Sequence, residues 1–304
     1  MKYLEGLKAL ADPTRFKLLN LLRESQLNVA EMVQLMDMGQ SRISRHLKIL
    51  LDAGLITLTK EGLWSYYALA RDSENARLLS RLDYLFLEDA GLVKQRARVV
   101  RISQERRQKT RQFFDSIASD WGSLKNELFD EEQVSCKILS YIKPARSAAD
   151  LGCGNGDLLP LLSKSSEKVI GVDQSPSMME KARGLAGENT AIELRLGELE
   201  HLPLRDGEVE AVVMKMVLHH LPHPEVGILE ASRILKPRGK LVIFEFLPHQ
   251  RVEMQERYGD TWLGFSGEQI KSWIKKAGMK CELSHEMGLK KDIHAAFYVA
   301  VKSI

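Results

Sequence analysis

The stretch Asp150-Leu-Gly-Cys-Gly-Asn-Gly156 places glycine at every second position, directly after the short apolar run 148–151. Alternate glycines let a backbone turn sharply and come close to a ligand. A helical pattern follows from Asp157, with Pro160 early enough to be tolerated. Residues 168–172 then read as a second strand that ends in Asp173. Strand, glycine loop, helix and strand make a βαβ unit, so this part of the chain is predicted to be α/β.

Spacing narrows the ligand. Dinucleotide loops read G-x-G-x-x-G, whereas this one reads Gly152-x-Gly154-x-Gly156. Asp150 stands just before the loop, where a carboxylate repels a pyrophosphate and favours an ammonium or sulfonium group. Asp173 is placed to accept ribose hydroxyls. A sugar, a positive charge and no phosphate describe S-adenosylmethionine.

The chain has 304 residues, enough for two domains. Its net charge of +3 conceals an asymmetry. Residues 1–112 carry 20 Lys and Arg against 13 Asp and Glu, and residues 113–304 carry 24 against 28. A basic first third suggests a polyanion partner for that part alone. No run of eighteen apolar residues exists, and the N-terminus lacks a secretory pattern, so a cytoplasmic protein is expected. Cys136, Cys153 and Cys281 are widely spaced and form neither a disulfide framework nor a zinc motif.

The basic third reads as a DNA reader. Asp12-Pro13 caps a helix running to about Arg23, a second helix starts at Asn28, and Gly39 makes a turn. In "QSRISRHLKILLDAG", Ile43, Leu47 and Leu50 form an apolar stripe. Gln40, Ser41, Arg42, Ser44, Arg45, His46 and Lys48 supply groups suited to base edges and phosphates. Alternating residues around Lys60-Glu61-Gly62 predict a β-hairpin with Lys60 at its tip. Leu78, Leu82, Leu85 and Leu92 are expected on one side of a dimer helix. The uninterrupted 94–111 stretch, with eight Lys and Arg and one Glu, predicts a helical connector.

"LKALADPTRFKLLNLL", "SRISRHLKILLDAGLI" and the hairpin resemble the ArsR/SmtB winged-helix repressors over residues 1–100. The resemblance implies a homodimer on an inverted-repeat site in double-stranded DNA. Metal-sensing members carry cysteines before the reader helix. This chain has "LNVAEM" there, so no metal is expected and the signal must enter elsewhere.

Residues 113–304 resemble the class I methyltransferases. That resemblance assigns cofactor contacts to Asp150, Gly152, Gly154, Asp173, Gln174 and Met178. It adds Glu198 and Leu199 at the adenine, Lys215 and Met216 near the methionyl end, and Trp121, with Phe114, on a lid helix. The expected architecture is a winged helix-turn-helix (1–92), a connector (93–112) and a Rossmann-like domain (113–304). In that order the modules are similar to regulators responsive to S-adenosylhomocysteine that control methionine-cycle genes. An active small-molecule methyltransferase is the alternative. No catalytic residue stands out. His219, His220, His223 and His249 are candidates for acid–base work, but "HHLPH" is read as structural because no carboxylate or cysteine completes a metal site. His249, Tyr258, Asp260 and Trp262 are expected to roof the substrate side. Arsenic methyltransferases need several cysteines near the pocket, and Cys153 and Cys281 are not so arranged.

Overall fold

A computed structural model describes residues 3–61, 64–70, 73–142 and 145–303, apart from the side chains of Lys60, Glu61, Trp64, Ala76, Ser103, Arg106, Arg107 and Glu256. The chain divides into two compact units, Met1–Arg106 and Arg107–Ile304.

The first unit opens with α1 (Leu4–Leu10) and α2 (Pro13–Leu22), separated where Asp12 accepts backbone N–H bonds from Thr14 and Arg15. Pro13 lacks an N–H and takes the first helical position, where none is needed. After β1 (Leu27–Asn28), α3 (Val29–Met36) starts with a reciprocal cap: Asn28 accepts from the Glu31 N–H, and Glu31 accepts from the Asn28 N–H. The helix α4 (Gln40–Asp52) follows the Gly39 turn, and Ile43, Leu47 and Leu50 are fully buried. Next, β2 (Ile56–Glu61) and β3 (Trp64–Leu69) pair antiparallel, and β3 also pairs with β1. Helix, turn, helix and hairpin are therefore in winged-helix order. Gly62, expected at the hairpin turn, lies outside the described residues, as does the Lys60 side chain.

The expected single dimer helix is interrupted. α5 (Glu74–Arg81) and α6 (Asp83–Glu88) precede α7 (Ala90–Ile117). The second break, between α6 and α7, has a local cause: Asp89 is extended, and its side chain accepts from the Leu92 N–H at 2.9 Å, restarting the chain as a helix. Leu92 is buried, Leu78 and Leu82 pack against the core, and Leu85 is exposed, so the four leucines do not form one stripe. The connector expected at 93–112 is helical within α7, which extends to Ile117.

The second unit continues with α8 (Trp121–Asn126), α9 (Glu131–Tyr141), β4 (Ser147–Leu151), α10 (Leu159–Leu162), β5 (Lys168–Asp173), α11 (Pro176–Ala186), β6 (Ile192–Leu196), β7 (Val209–Lys215), α12 (Pro224–Ile234), β8 (Leu235–Phe246), α13 (Glu253–Arg257), α14 (Gly267–Lys276), β9 (Met279–Gly288) and β10 (His294–Lys302). The sheet order is β6-β5-β4-β7-β8-β10-β9, with β10 antiparallel to both neighbours and the other pairs parallel. All five residues of the central strand β4 are buried, as expected for a strand covered on both faces. Strand order reverses between β4 and β7, so a crevice opens at the carboxyl ends of those strands. Pro237-Arg238-Gly239 forms a bulge in β8: Val209 pairs with Leu235 and Ala211 with Lys240, and Arg238 takes a left-handed φ of 63°.

Breaking the reciprocal cap checks this account of the reader. Asn28→Ala should cost about 1 kcal/mol and speed amide exchange over α3 about fivefold. Unchanged exchange would mean that tertiary packing alone holds α3.

Candidate functional site

The crevice begins at the glycine loop. The Gly152 and Cys153 N–H groups donate to the Val172 carbonyl at 2.8 and 3.0 Å, and the Gly154 N–H donates to Asp173 Oδ2 at 2.9 Å. Glycine is required at position 152: φ is +74°, and a Cβ there would sit 2.3 Å from Val217 Cγ2. The same holds at Gly156, where φ is +85° and a Cβ would meet Ala182 at 2.8 Å. Close contact of the loop with the segment after β7 and with α11 thus explains two of the three glycines.

A cavity opens beside this loop. Gly152, Gly154, Asp173, Gln174, Met178, Glu198, Leu199 and Met216 line it, and Trp121 and Phe114 close one side. Residues from the loops after β4, β5, β6 and β7 therefore meet in one place. Asp173 Oδ1 also accepts from the Ser175 N–H at 2.9 Å, which fixes the carboxylate against the wall. Burial pushes the Asp173 carboxyl up, and the backbone N–H bonds of Ser175, Gly154 and Gln174 oppose that.

Two expected residues sit elsewhere. Asp150 is 1% exposed beneath the loop and lines neither this cavity nor its neighbour. Its Oδ1 has no hydrogen-bond partner among the described residues. Lys215 lines an adjoining cavity and pairs with Glu131. Lys125, itself paired with Asp157, lies 3.6 Å from the same Glu131. This four-residue ion cluster joins α8, α9, the glycine loop and β7, and no short sequence spacing announces it.

The adjoining, smaller cavity shares Trp121, Gly152, Gly154 and Met216 with the first. His219 and Asp260 stand at its polar end, and Leu128, Phe129, Phe246 and Tyr258 form apolar walls. Glu245, at the end of β8, accepts from the backbone N–H groups of Leu218, His219 and Phe246 and engages His219 Nδ1 at 2.5 Å. His219 Nε2 lies 3.6 Å from Asp260 Oδ1. Asp260 thus supplies the carboxylate that "HHLPH" lacked in sequence: one atom each from His219, His220 and Asp260 lie within 4.8 Å of one another. Burial opposes charge on His219, but Glu245 and Asp260 outweigh it, so the His219 pKa is raised. Burial pushes Asp260 up to about 7. Burial, with the neighbouring His219 charge, holds His220 well below the ordinary imidazole value.

Other expected roof residues divide. Tyr258 lines the second cavity, whereas the buried Trp262 donates its indole N–H to the Leu221 carbonyl. His249 is held down to about 4, chiefly by burial. The backbone N–H of His223, a further candidate, donates to Glu200.

On α4, Gln40, Ser41, Arg42, Ser44, Arg45 and Lys48 are exposed together. His46 departs from that face: it is half-buried, with Nδ1 3.8 Å from Asp12.

Sheet order, glycine loop and crevice define a Rossmann-like class I methyltransferase domain. Residues 149–243 match the methyltransferase domain family, and residues 12–57 match the bacterial regulatory protein arsR family. Over 112 residues the chain is 34% identical to an arsenite methyltransferase of Halobacterium salinarum, covering 35% of this chain and 29% of that one. Over 175 residues it is 30% identical to the uncharacterized methyltransferase YodH of Bacillus subtilis, covering 51% and 74%. The N-methyltransferase NodS from Bradyrhizobium japonicum, solved with S-adenosyl-L-homocysteine, shares the fold at a TM-score of 0.54 and 14% identity, over 64% of this chain and 98% of that one. The chain belongs to the methyltransferase family and carries an arsR-family helix-turn-helix segment ahead of its methyltransferase domain.

Asp150 yields a pH test. Burial, against the pull of Lys215, raises its carboxyl to about 7. The folded state therefore keeps a proton that the unfolded chain releases near the ordinary carboxylate value. That stabilisation is lost as pH rises from about 4 to about 7. Asp150→Asn removes the ionisation, so its melting temperature should gain on the parent protein across that window. A constant difference across the window would contradict the assignment.

Proposed function

We propose that this chain is a homodimeric DNA-binding transcriptional regulator, a repressor, whose affinity for an inverted-repeat operator responds to S-adenosylhomocysteine or S-adenosylmethionine in the methyltransferase-like domain. It controls methionine-cycle and methyl-recycling genes in the cytoplasm. The observation that carries this reading is the cavity beside the glycine loop, in a chain whose other unit exposes six hydrogen-bonding and cationic side chains on α4. Asp173 is the ribose acceptor, Leu199 and Met178 cover the adenine, and Met216 meets the methionyl end. The S-adenosyl-L-homocysteine held by NodS, on the same fold, supports this ligand class.

Dimerisation is supported by apolar exposure in the first unit: Tyr84, Leu87 and Val93 are 53, 56 and 43% exposed. Large apolar side chains left in water favour a partner surface. Arg42, Arg45 and Lys48 contact phosphates and base edges, with Gln40, Ser41 and Ser44 beside them.

A second reading, an active small-molecule methyltransferase, is favoured by the His219–Glu245 pair in the adjoining cavity. Arsenite is a poor candidate acceptor despite the Halobacterium relative. Cys136 lies on α9, Cys153 in the glycine loop and Cys281 on β9, and burial pushes the Cys153 thiol well up, away from the reactive thiolate.

Two substitutions test the division of labour. Arg45→Ala should weaken binding to the chain's own upstream DNA at least about fivefold while calorimetric S-adenosylhomocysteine binding persists. Asp173→Ala should weaken nucleoside binding at least about tenfold while ligand-free DNA binding persists. Loss of both activities in either variant would reject the assignment of separate sites.

A further inference from the structure

His219 and His220 are sequence neighbours on one 3-10 turn, Leu218–His220, yet they serve different cavities. His220 lines the larger cavity. Its Nδ1 meets the Gly259 carbonyl at 3.2 Å, and its Nε2 is buried without a hydrogen-bond partner among the described residues. His219 lines the smaller one, with Nδ1 committed to Glu245 and Nε2 left facing Asp260. The Thr261 and Trp262 N–H groups donate to the His219 carbonyl at 2.9 and 3.0 Å, which holds the Asp260 segment against this turn. Both Asp260 oxygens are buried and lack hydrogen-bond partners among the described residues. A carboxyl in that state requires a proton or a polar ligand group.

The smaller cavity has aromatic walls in Trp121, Phe129 and Phe246. The two lysines that line it are engaged by Glu131 and Asp157, so it offers no unpaired ammonium to an anion. Such walls with one imidazole–carboxyl end suit a flat, uncharged molecule that brings a hydroxyl to His219.

We propose that the smaller cavity is an acceptor site for a small aromatic or conjugated molecule bearing a phenolic or enolic hydroxyl, and that His219 is the base that takes its proton. This rests on the larger cavity holding the S-adenosyl ligand. In the transfer, the hydroxyl proton passes to His219 Nε2 and the oxygen attacks the sulfonium methyl. The new O–CH3 bond forms as the S–CH3 bond breaks, and the bonding pair stays on sulfur as S-adenosylhomocysteine. Glu245 fixes the ring and stabilises the imidazolium, which makes it a positioning residue. The groups facing His219 are Glu245 from β8, Asp260 from the following loop, His220 on the same turn and His249 beyond β8. Because the base must be unprotonated, transfer rises with pH through a value above that of ordinary imidazole.

The test uses the full chain saturated with S-adenosylhomocysteine and titrated with 4-nitrophenol, whose ionised form is coloured. Bound nitrophenol should show the phenolate band about one pH unit below its own pKa in water. His219→Gln should bind both molecules and lose the band, and with S-adenosylmethionine should methylate an accepted phenol about 100-fold more slowly at unchanged KM for the cofactor. Glu245→Gln should weaken the band about tenfold, and it carries the test if His219→Gln fails to fold. The proposal is overturned if nitrophenol does not bind, if it binds only as the neutral phenol, if the band survives His219→Gln, or if EDTA abolishes it. Absence of S-adenosylhomocysteine binding overturns the cofactor reading beneath it instead, and the proposal falls with that reading.

Discussion

A buried carboxylate at the end of β8 sets the geometry on which both cavities depend. Glu245 is 1% exposed, and it accepts from Leu218, His219 and Phe246 backbone N–H groups as well as meeting the His219 ring. Burying a carboxylate is costly unless hydrogen bonds replace its water, and here four groups do so. The return on that arrangement is a pinned turn after β7. Val217 on the turn presses against Gly152, Met216 lines both cavities, and the two histidines separate to either side. Release of Glu245 would free the turn, and the glycine loop would lose the side chain it packs against.

This organisation is compatible with either a sensor or an enzyme. Methyl transfer asks mainly for alignment of a nucleophile with an activated methyl group. The larger cavity alone serves a sensor as well as an enzyme. The smaller cavity, with its base-like end, is what an enzyme additionally requires. A protein can use both, because ligand occupancy shifts a DNA-binding equilibrium through differential affinity whether or not the ligand later reacts.

Local features were legible in the sequence and long-range ones were not. The Asp12 cap, the apolar stripe of α4, the hairpin and the glycine loop all depend on residues a few positions apart, and they stand where spacing predicted them. The cavity residues from Asp173 to Met216 were legible through resemblance, since each follows a strand end. Nothing in "VIFEF" marks Glu245, because its partner His219 is 26 positions away. Sequence places Asp260 at the roof, but its position beside the histidines depends on the bonds of residues 259–262 to the turn. Sequence sets Asp150 at the ligand, whereas it is 1% exposed and lines neither cavity. Strand alternation says which face a side chain takes but not how deep it lies, and depth decided the outcome. The dimer helix failed for a local reason that was readable: an Asp able to cap three residues onward ends one helix and begins another.

The central claim is that an adenosyl ligand and DNA are coupled through this one chain. Its most direct test is the affinity of the intact protein for its own upstream DNA at fixed salt with no ligand, with S-adenosylmethionine and with S-adenosylhomocysteine. The account predicts that at least one ligand changes that affinity about fivefold or more. Equal affinities in all three conditions, with ligand binding confirmed by calorimetry, would contradict it.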